Sequence, residues 1–128
     1  MILFLDTSGS TCHVYLHESS TFMHYQWQAD RNLAHGLLKF LQDCLAKNHA
    51  SWDDLTGLAF MAGPGSFTGL RIGATVLNTI ADAQNIPIVG FSGKNWRTAA
   101  KNALKAGKNQ QLVLPEYGGR PNITTPKK

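Results

Sequence analysis

Long apolar runs are missing from this 128-residue chain, and no stretch approaches the roughly 20 residues needed to span a bilayer. The N-terminus, Met1-Ile-Leu-Phe-Leu-Asp6, is too short and lacks the basic start of a secretory signal. Cysteine is scarce. Cys12 and Cys44 stand far apart in no metal-ligand spacing, which argues against a zinc ribbon or a disulfide scaffold. Two buried free thiols in a reducing compartment are expected instead, and with them a cytoplasmic protein and no membrane association. Acidic residues are few, 8 against 12 Lys and Arg. The imbalance is local. Residues 1–93 hold four basic and seven acidic residues, whereas 94–128 hold eight basic residues and Glu116 alone. A basic C-terminal segment can attract phosphate backbones, or it can be a solvated helix face and tail. Internal repeats and low-complexity stretches are absent.

What is there reads as one α/β domain over 1–106 followed by an extended basic tail, 107–128. Residues 2–6 form a buried strand. Thr11 to His17 and Thr21 to Gln28 alternate and complete an antiparallel meander. Leu33 to Asn48 is helical, with an apolar arc of about 160° where one core contact needs about 100°. The excess suggests two contacts, one with the sheet and one elsewhere. Leu55 to Ala62 is a strand, and Ser66 to Gln84 a helix whose apolar or small arc exceeds about 200°. Ile88 to Phe91 is a further strand. Ser92 is expected to cap a last helix reaching about Ala106, and Leu112-Val113-Leu114 to add a short strand. The order β-β-β-α-β-α-β-α implies a mixed sheet with helices on its faces.

The densest pattern is Gly63-Pro-Gly65-Ser-Phe67-Thr-Gly69-Leu-Arg71-Ile-Gly73. Gly63 and Gly65 permit unusual turn angles, Ser66 or Thr68 can cap the following helix, and Gly69 and Gly73 suggest close approach of another backbone. It is not a Walker loop, because no Lys follows Gly69. It is not a dinucleotide fingerprint either, because Gly69 falls one position too late. Asp6-Thr7-Ser8 at the end of the first strand is a candidate, vestigial phosphate site; the alternative is a turn-forming Asp. His13, His17 and His24 can share a strand face, but no Cys or carboxylate completes a metal set. Nothing resembles a nucleophile elbow, so no catalytic residue is assigned. Trp27, Trp52 and Trp96 read as unclustered packing residues.

Met1-Ile-Leu-Phe-Leu-Asp6-Thr-Ser8, Ala34-His-Gly-Leu-Leu38, the glycine stretch 63–73 and Ile86-Pro-Ile-Val-Gly-Phe-Ser92 together resemble the TsaB (YeaZ-like) family of bacterial tRNA threonylcarbamoyladenosine biosynthesis proteins. The likeness covers about residues 1–105, and Pro115-Glu-Tyr117 and Pro126-Lys-Lys128 resemble that family's C-terminal end, which favours a complete, shortened form lacking most of the second domain. The resemblance implies an actin-like/Hsp70 ATPase (ribonuclease H-like) half-domain. It implies a non-catalytic subunit of tRNA modification that binds a TsaD-like catalytic subunit, with a TsaE-like ATPase in the assembled complex. It implies no cofactor on this chain, ATP and metal residing on partner subunits. Partner-binding candidates are Leu37, Leu38, Leu41, Phe67, Leu70, Arg71, Ile72 and Val76, which the sequence does not divide between core and interface. Self-pairing through the same helices stays open. Two other readings also stay open: a small nucleotide hydrolase using Asp6 and the glycine turn, and a tRNA-binding module using 94–128.

Overall fold

Five strands and three helices make up the computed structural model, which describes residues 1–116. Residues 117–128, and with them Tyr117, Pro126-Lys-Lys128 and most of the expected tail, lie outside the described residues. The strands are β1 (Ile2–Asp6), β2 (Thr11–Glu18), β3 (Thr21–Gln28), β4 (Gly57–Met61) and β5 (Ile88–Phe91). The helices are α1 (Leu33–Lys47), α2 (Phe67–Gln84) and α3 (Trp96–Lys105). One mixed sheet runs β3-β2-β1-β4-β5. The hairpins β1–β2 and β2–β3 are antiparallel, while β1–β4 and β4–β5 are parallel. Helices supply the long crossovers that parallel pairing requires.

Period-two alternation gives the central strands two buried faces. Leu3 and Leu5 of β1, with Cys12, Val14 and Leu16 of β2, join Leu37 and Leu41 of α1 and Leu70 and Leu77 of α2 in the larger core. Phe4, Ala59 and Val89 face the other way, against Trp96, Ala100 and Ala103 of α3. So α1 and α2 cover one face of the sheet and α3 covers part of the other. No helix among the described residues is long and apolar enough to cross a membrane.

Three local expectations are corrected. The fourth strand begins at Gly57, not Leu55, because Ser51 and Asp54 form a capping box around a 3-10 turn, and the Leu55 N–H donates to the Trp52 carbonyl at 3.1 Å. The last helix begins at Trp96 and is not capped by Ser92. Gly93, at φ +88°, breaks the approach in the left-handed region, where helix cannot continue. Leu112-Val113-Leu114 is not a strand. The outer edge of β5 is already occupied: Ile88 N–H donates to Asn109 Oδ1 at 3.1 Å, Gln110 N–H to the Ile88 carbonyl at 2.9 Å, and the Gln110 amide exchanges hydrogen bonds with Gly90 N–H and C=O. Val113 instead meets the Asn78 side chain, which accepts from its N–H at 2.9 Å and donates to its carbonyl at 3.0 Å. Side-chain amides thus close an edge that would otherwise be open to another chain.

Both thiols are free and buried. Burial pushes Cys12 up to about 12, with Cys44 and Asp6 adding to the effect, and pushes Cys44 up to about 11. Thiolate is the reactive form, so both sites should be inert near neutral pH. A chromogenic disulfide reagent at pH 8 is expected to titrate neither cysteine in the native protein and both after denaturation. Rapid reaction of either one in native protein would contradict this packing.

Candidate helical interface beside the glycine turn

Between β4 and α2 the backbone passes so close to its neighbours that side chains are excluded. Gly63 has φ +134°, and a Cβ there would run into the Glu116 carbonyl. Gly65 has no left-handed φ; it is small because Ser8 lies against it, with Ser66 N–H donating to the Ser8 carbonyl at 2.7 Å. Ser66 caps α2 by accepting from Gly69 N–H at 3.2 Å. Thr7 is fully buried and donates through Oγ1 to the Gly69 carbonyl at 2.7 Å. A Cβ on Gly69 would strike the Thr7 carbonyl, and one on Gly73 the Thr7 hydroxyl. The close approach expected at Gly69 and Gly73 is made within the chain and not by another helix: Thr7, just after β1, sets its carbonyl against Gly69 and its hydroxyl against Gly73.

The candidate phosphate residues are tied into this turn. Asp6 Oδ1 accepts from Ser8 N–H at 2.9 Å and from Ser8 Oγ at 2.6 Å, the turn-forming alternative. Among the described residues no group of three His, Cys, Asp or Glu side chains converges as metal ligands would. His13 Nδ1 and His24 Nε2 lie 3.0 Å apart and share a hydrogen bond, while His17 packs on Phe22.

The eight partner-binding candidates divide. Leu37, Leu41 and Leu70 are 0% exposed and belong to the core, which corrects their place among interface residues. Each projects from its helix toward the sheet, where burial against β1 and β2 is complete. Leu38 (52% exposed) and Phe67 (56% exposed) face outward. Arg71 is exposed, with its guanidinium carbon 5.3 Å from the centroid of the Phe67 ring; Ile72 and Val76 are half-buried. Part of the excess arc on α1 is used within the chain, since Phe40 packs on Trp27 at 5.4 Å between centroids and α1 contacts α2. What remains is a hollow of about 400 Å³ lined by Ala34 of α1 and Thr68, Arg71, Ile72, Thr75 and Val76 of α2. The α2 residues recur at three- and four-residue spacing, which stacks them on one face. A second hollow of about 710 Å³ shares Ala34, Thr68 and Ile72 and extends to Gly9 and Ser10. The two share lining residues and form one trough, with Arg71 in the first hollow and Asp30 and Arg31 in the second. Sequence reasoning missed the contribution of Gly9, Ser10 and Asp30, which no periodicity marks.

The opposite face of the sheet holds a ring array of which the sequence had brought together only the histidines. Tyr15 and His24 stack at 4.4 Å, His13 and His24 at 5.2 Å, and the Arg97 guanidinium lies 4.0 Å from the Tyr15 ring centroid. Trp96, expected to be unclustered, sets its edge against both Phe4 and Tyr15. The signal was present: pairing the predicted hairpin puts His13, Tyr15, His17, Phe22 and His24 on one face.

Comparison with known proteins follows the same lines. The family model described as TsaD: tRNA N6-adenosine threonylcarbamoyltransferase matches residues 27–120. The chain is 34% identical over 91 residues to the tRNA threonylcarbamoyladenosine biosynthesis protein TsaB of Escherichia coli strain K12, covering 71% of this chain and 39% of that protein. It is 31% identical over 112 residues to TsaB of Haemophilus influenzae, covering 88% and 47% respectively. It therefore spans less than half the length of either relative. The solved structure of YeaZ from Pseudomonas aeruginosa superposes with a TM-score of 0.69 at 29% identity, over 83% of this chain and 49% of that one. The mixed sheet with helices on its faces is the fold these neighbours share.

The contact of α2 with Thr7 makes a signed expectation. In an exposed helix interior, Gly→Ala stabilises by about 1 kcal/mol. Gly73→Ala should instead destabilise by about 1–3 kcal/mol, through overpacking against Thr7. Urea unfolding followed by circular dichroism measures this, and a neutral or raised midpoint would contradict the close contact.

Proposed function

We propose a function from one premise: the chain belongs to the family described as TsaD: tRNA N6-adenosine threonylcarbamoyltransferase, and within it is TsaB-like. It is a non-catalytic subunit of the machinery that places threonylcarbamoyl on tRNA adenosine. Its task is to bind and support a TsaD-like catalytic subunit through the exposed face of α1 and α2. ATP and metal belong to the partner subunits, a TsaE-like ATPase among them.

The observation that carries this reading is the trough. It is a depression between two packed helices, lined by Ala34 of α1 and by Ile72 and Val76 of α2, with Arg71 the charged residue on its α2 side. Helical faces of this kind bury well against another pair of helices, with small and aliphatic side chains interleaving. Arg71 can then make a charge-assisted hydrogen bond to a carboxylate or carbonyl of the partner. The reading as a nucleotide hydrolase has less support. Asp6 Oδ1 is engaged by Ser8, and the Thr7 hydroxyl is buried against α2.

The test is association with the TsaD-like protein of the same genome, mixed at micromolar concentration and resolved by gel filtration. The two should co-elute. Ile72→Glu or Val76→Glu would bury an unpaired carboxylate at the contact and should weaken association by about thirtyfold or more. Lys39→Glu, on the solvent side of α1, should leave it unchanged. Separate elution of the unmodified proteins would overturn the reading.

A further inference from the structure

The ring array on the face of β2 and β3 continues into a separate hollow, away from the α1–α2 trough. It measures about 270 Å³ and is lined by Phe22, Lys94, Asn95, Arg97, Thr98 and Lys101. Between 94 and 106 the sequence holds four cations and no acid. Among the described residues none of Lys94, Arg97, Lys101 or Lys105 forms an ion pair with a carboxylate. Their field is therefore uncompensated locally, and it attracts polyanions.

Rings are interleaved with these charges. Phe22 is 44% exposed, and its ring centroid lies 6.0 Å from the Arg97 guanidinium carbon and 5.8 Å from the Lys101 ammonium. Arg97 is held over Tyr15 at 4.0 Å, and Tyr15 is in turn stacked on His24. A guanidinium seated on a ring has lost much of its rotational freedom while its N–H groups stay available to acceptors. His17, beside Phe22, is lowered from its ordinary value by desolvation first and then by Lys101, Lys105 and the N-terminus; His24 is lowered by desolvation, His13 and Arg97. Both imidazoles thus sit in the same positive surroundings.

We propose that this face, from Phe22 across Arg97 to Lys94 and Lys101, binds a single-stranded loop of RNA, with phosphates on the cations and a base on the Phe22 ring. An acidic peptide would use the cations but leave the exposed ring without a role. A nucleic-acid strand uses both, because every base offers a π face and every linkage a charge. That the strand is RNA rests on the function proposed above; the hollow and its charges do not. The surface is separate from the α1–α2 trough, so this chain can hold RNA and a protein partner at once.

A fluorescently labelled single-stranded 20-mer RNA and an unmodified tRNA transcript, titrated with the full chain and followed by anisotropy, test the proposal. Both should bind, with affinity falling as salt rises. The Arg97→Glu/Lys101→Glu double variant should weaken binding about tenfold or more and flatten the log–log salt dependence by about one per phosphate contact removed. Phe22→Ser should weaken binding at least about fivefold with the salt slope unchanged, the signature of a lost stacking contact. Circular dichroism and co-elution with the TsaD-like protein report folding independently, and both should be unaltered in these variants. If a variant unfolds, Phe22→Tyr and Arg97→Lys replace it, and they should retain most of the binding. Absence of RNA binding by the unmodified chain would overturn the proposal while leaving the subunit reading in place. So would displacement of the RNA by polyglutamate at equal charge, or full affinity in Phe22→Ser, since either would mean charge alone is recognised.

Discussion

Where α2 crosses the residue that follows β1, no side chain of the helix separates it from Thr7. Gly69 and Gly73 present bare Cα atoms to Thr7, and the Thr7 hydroxyl donates to the Gly69 carbonyl from a fully buried position. Much else follows from that contact. It sets how close α2 lies to the sheet, and so seats Leu70 and Leu77 in the core on one side of the helix. The other side, with Arg71, Ile72 and Val76, is left facing α1 and solvent. It also draws Ser8 under Gly65 and Ser66, which closes the turn where a phosphate would otherwise find free N–H groups. A glycine-rich strand–turn–helix therefore serves packing here.

The sheet's two faces are used unequally. On one, α1 and α2 lie side by side and together leave a shallow trough. On the other, α3 packs on β4 and β5, and the side chains of Arg97 and Lys101 reach the β2–β3 hairpin. The hairpin keeps Phe22 and His24 exposed and borrows cations from α3, with Arg97 on Tyr15 and Lys101 near Phe22. Charge is segregated accordingly. The trough is mainly uncharged along α2, and the hairpin face is cationic. Surfaces of such different character suit different partners, one a pair of helices and the other a polyanion.

Most of the fold was legible because it rests on local periodicity. Short apolar runs gave β1 and β5, and alternation gave β3, at their observed bounds, and Ser66 and Asn85 marked the two ends of α2. What failed depends on contacts distant in sequence. The helical wheel shows that Leu37, Leu41 and Leu70 are apolar, but not that the sheet lies on their side while Leu38 and Phe67 look away. Gly69 and Gly73 announced a close approach, and only the position of Thr7 identifies which backbone approaches. Leu112 to Leu114 has strand composition, yet its hydrogen bonds go to the Asn78 amide, an arrangement no composition encodes. The ring array was hidden for a different reason. His13, His17 and His24 were weighed together only as metal ligands, while the register of the predicted hairpin also sets Tyr15 and Phe22 on their face.

The central claim is that the exposed side of α1 and α2 is where this chain meets a TsaD-like subunit. Hydrogen–deuterium exchange of the full chain, alone and with that protein in excess, tests it most directly. Slowed exchange is expected at the exposed edge of α1 around Ala34 to Leu38 and along the first three turns of α2, with β2, β3 and α3 unchanged. Protection confined to the β2–β3 hairpin or α3, or none at saturating partner, would contradict it.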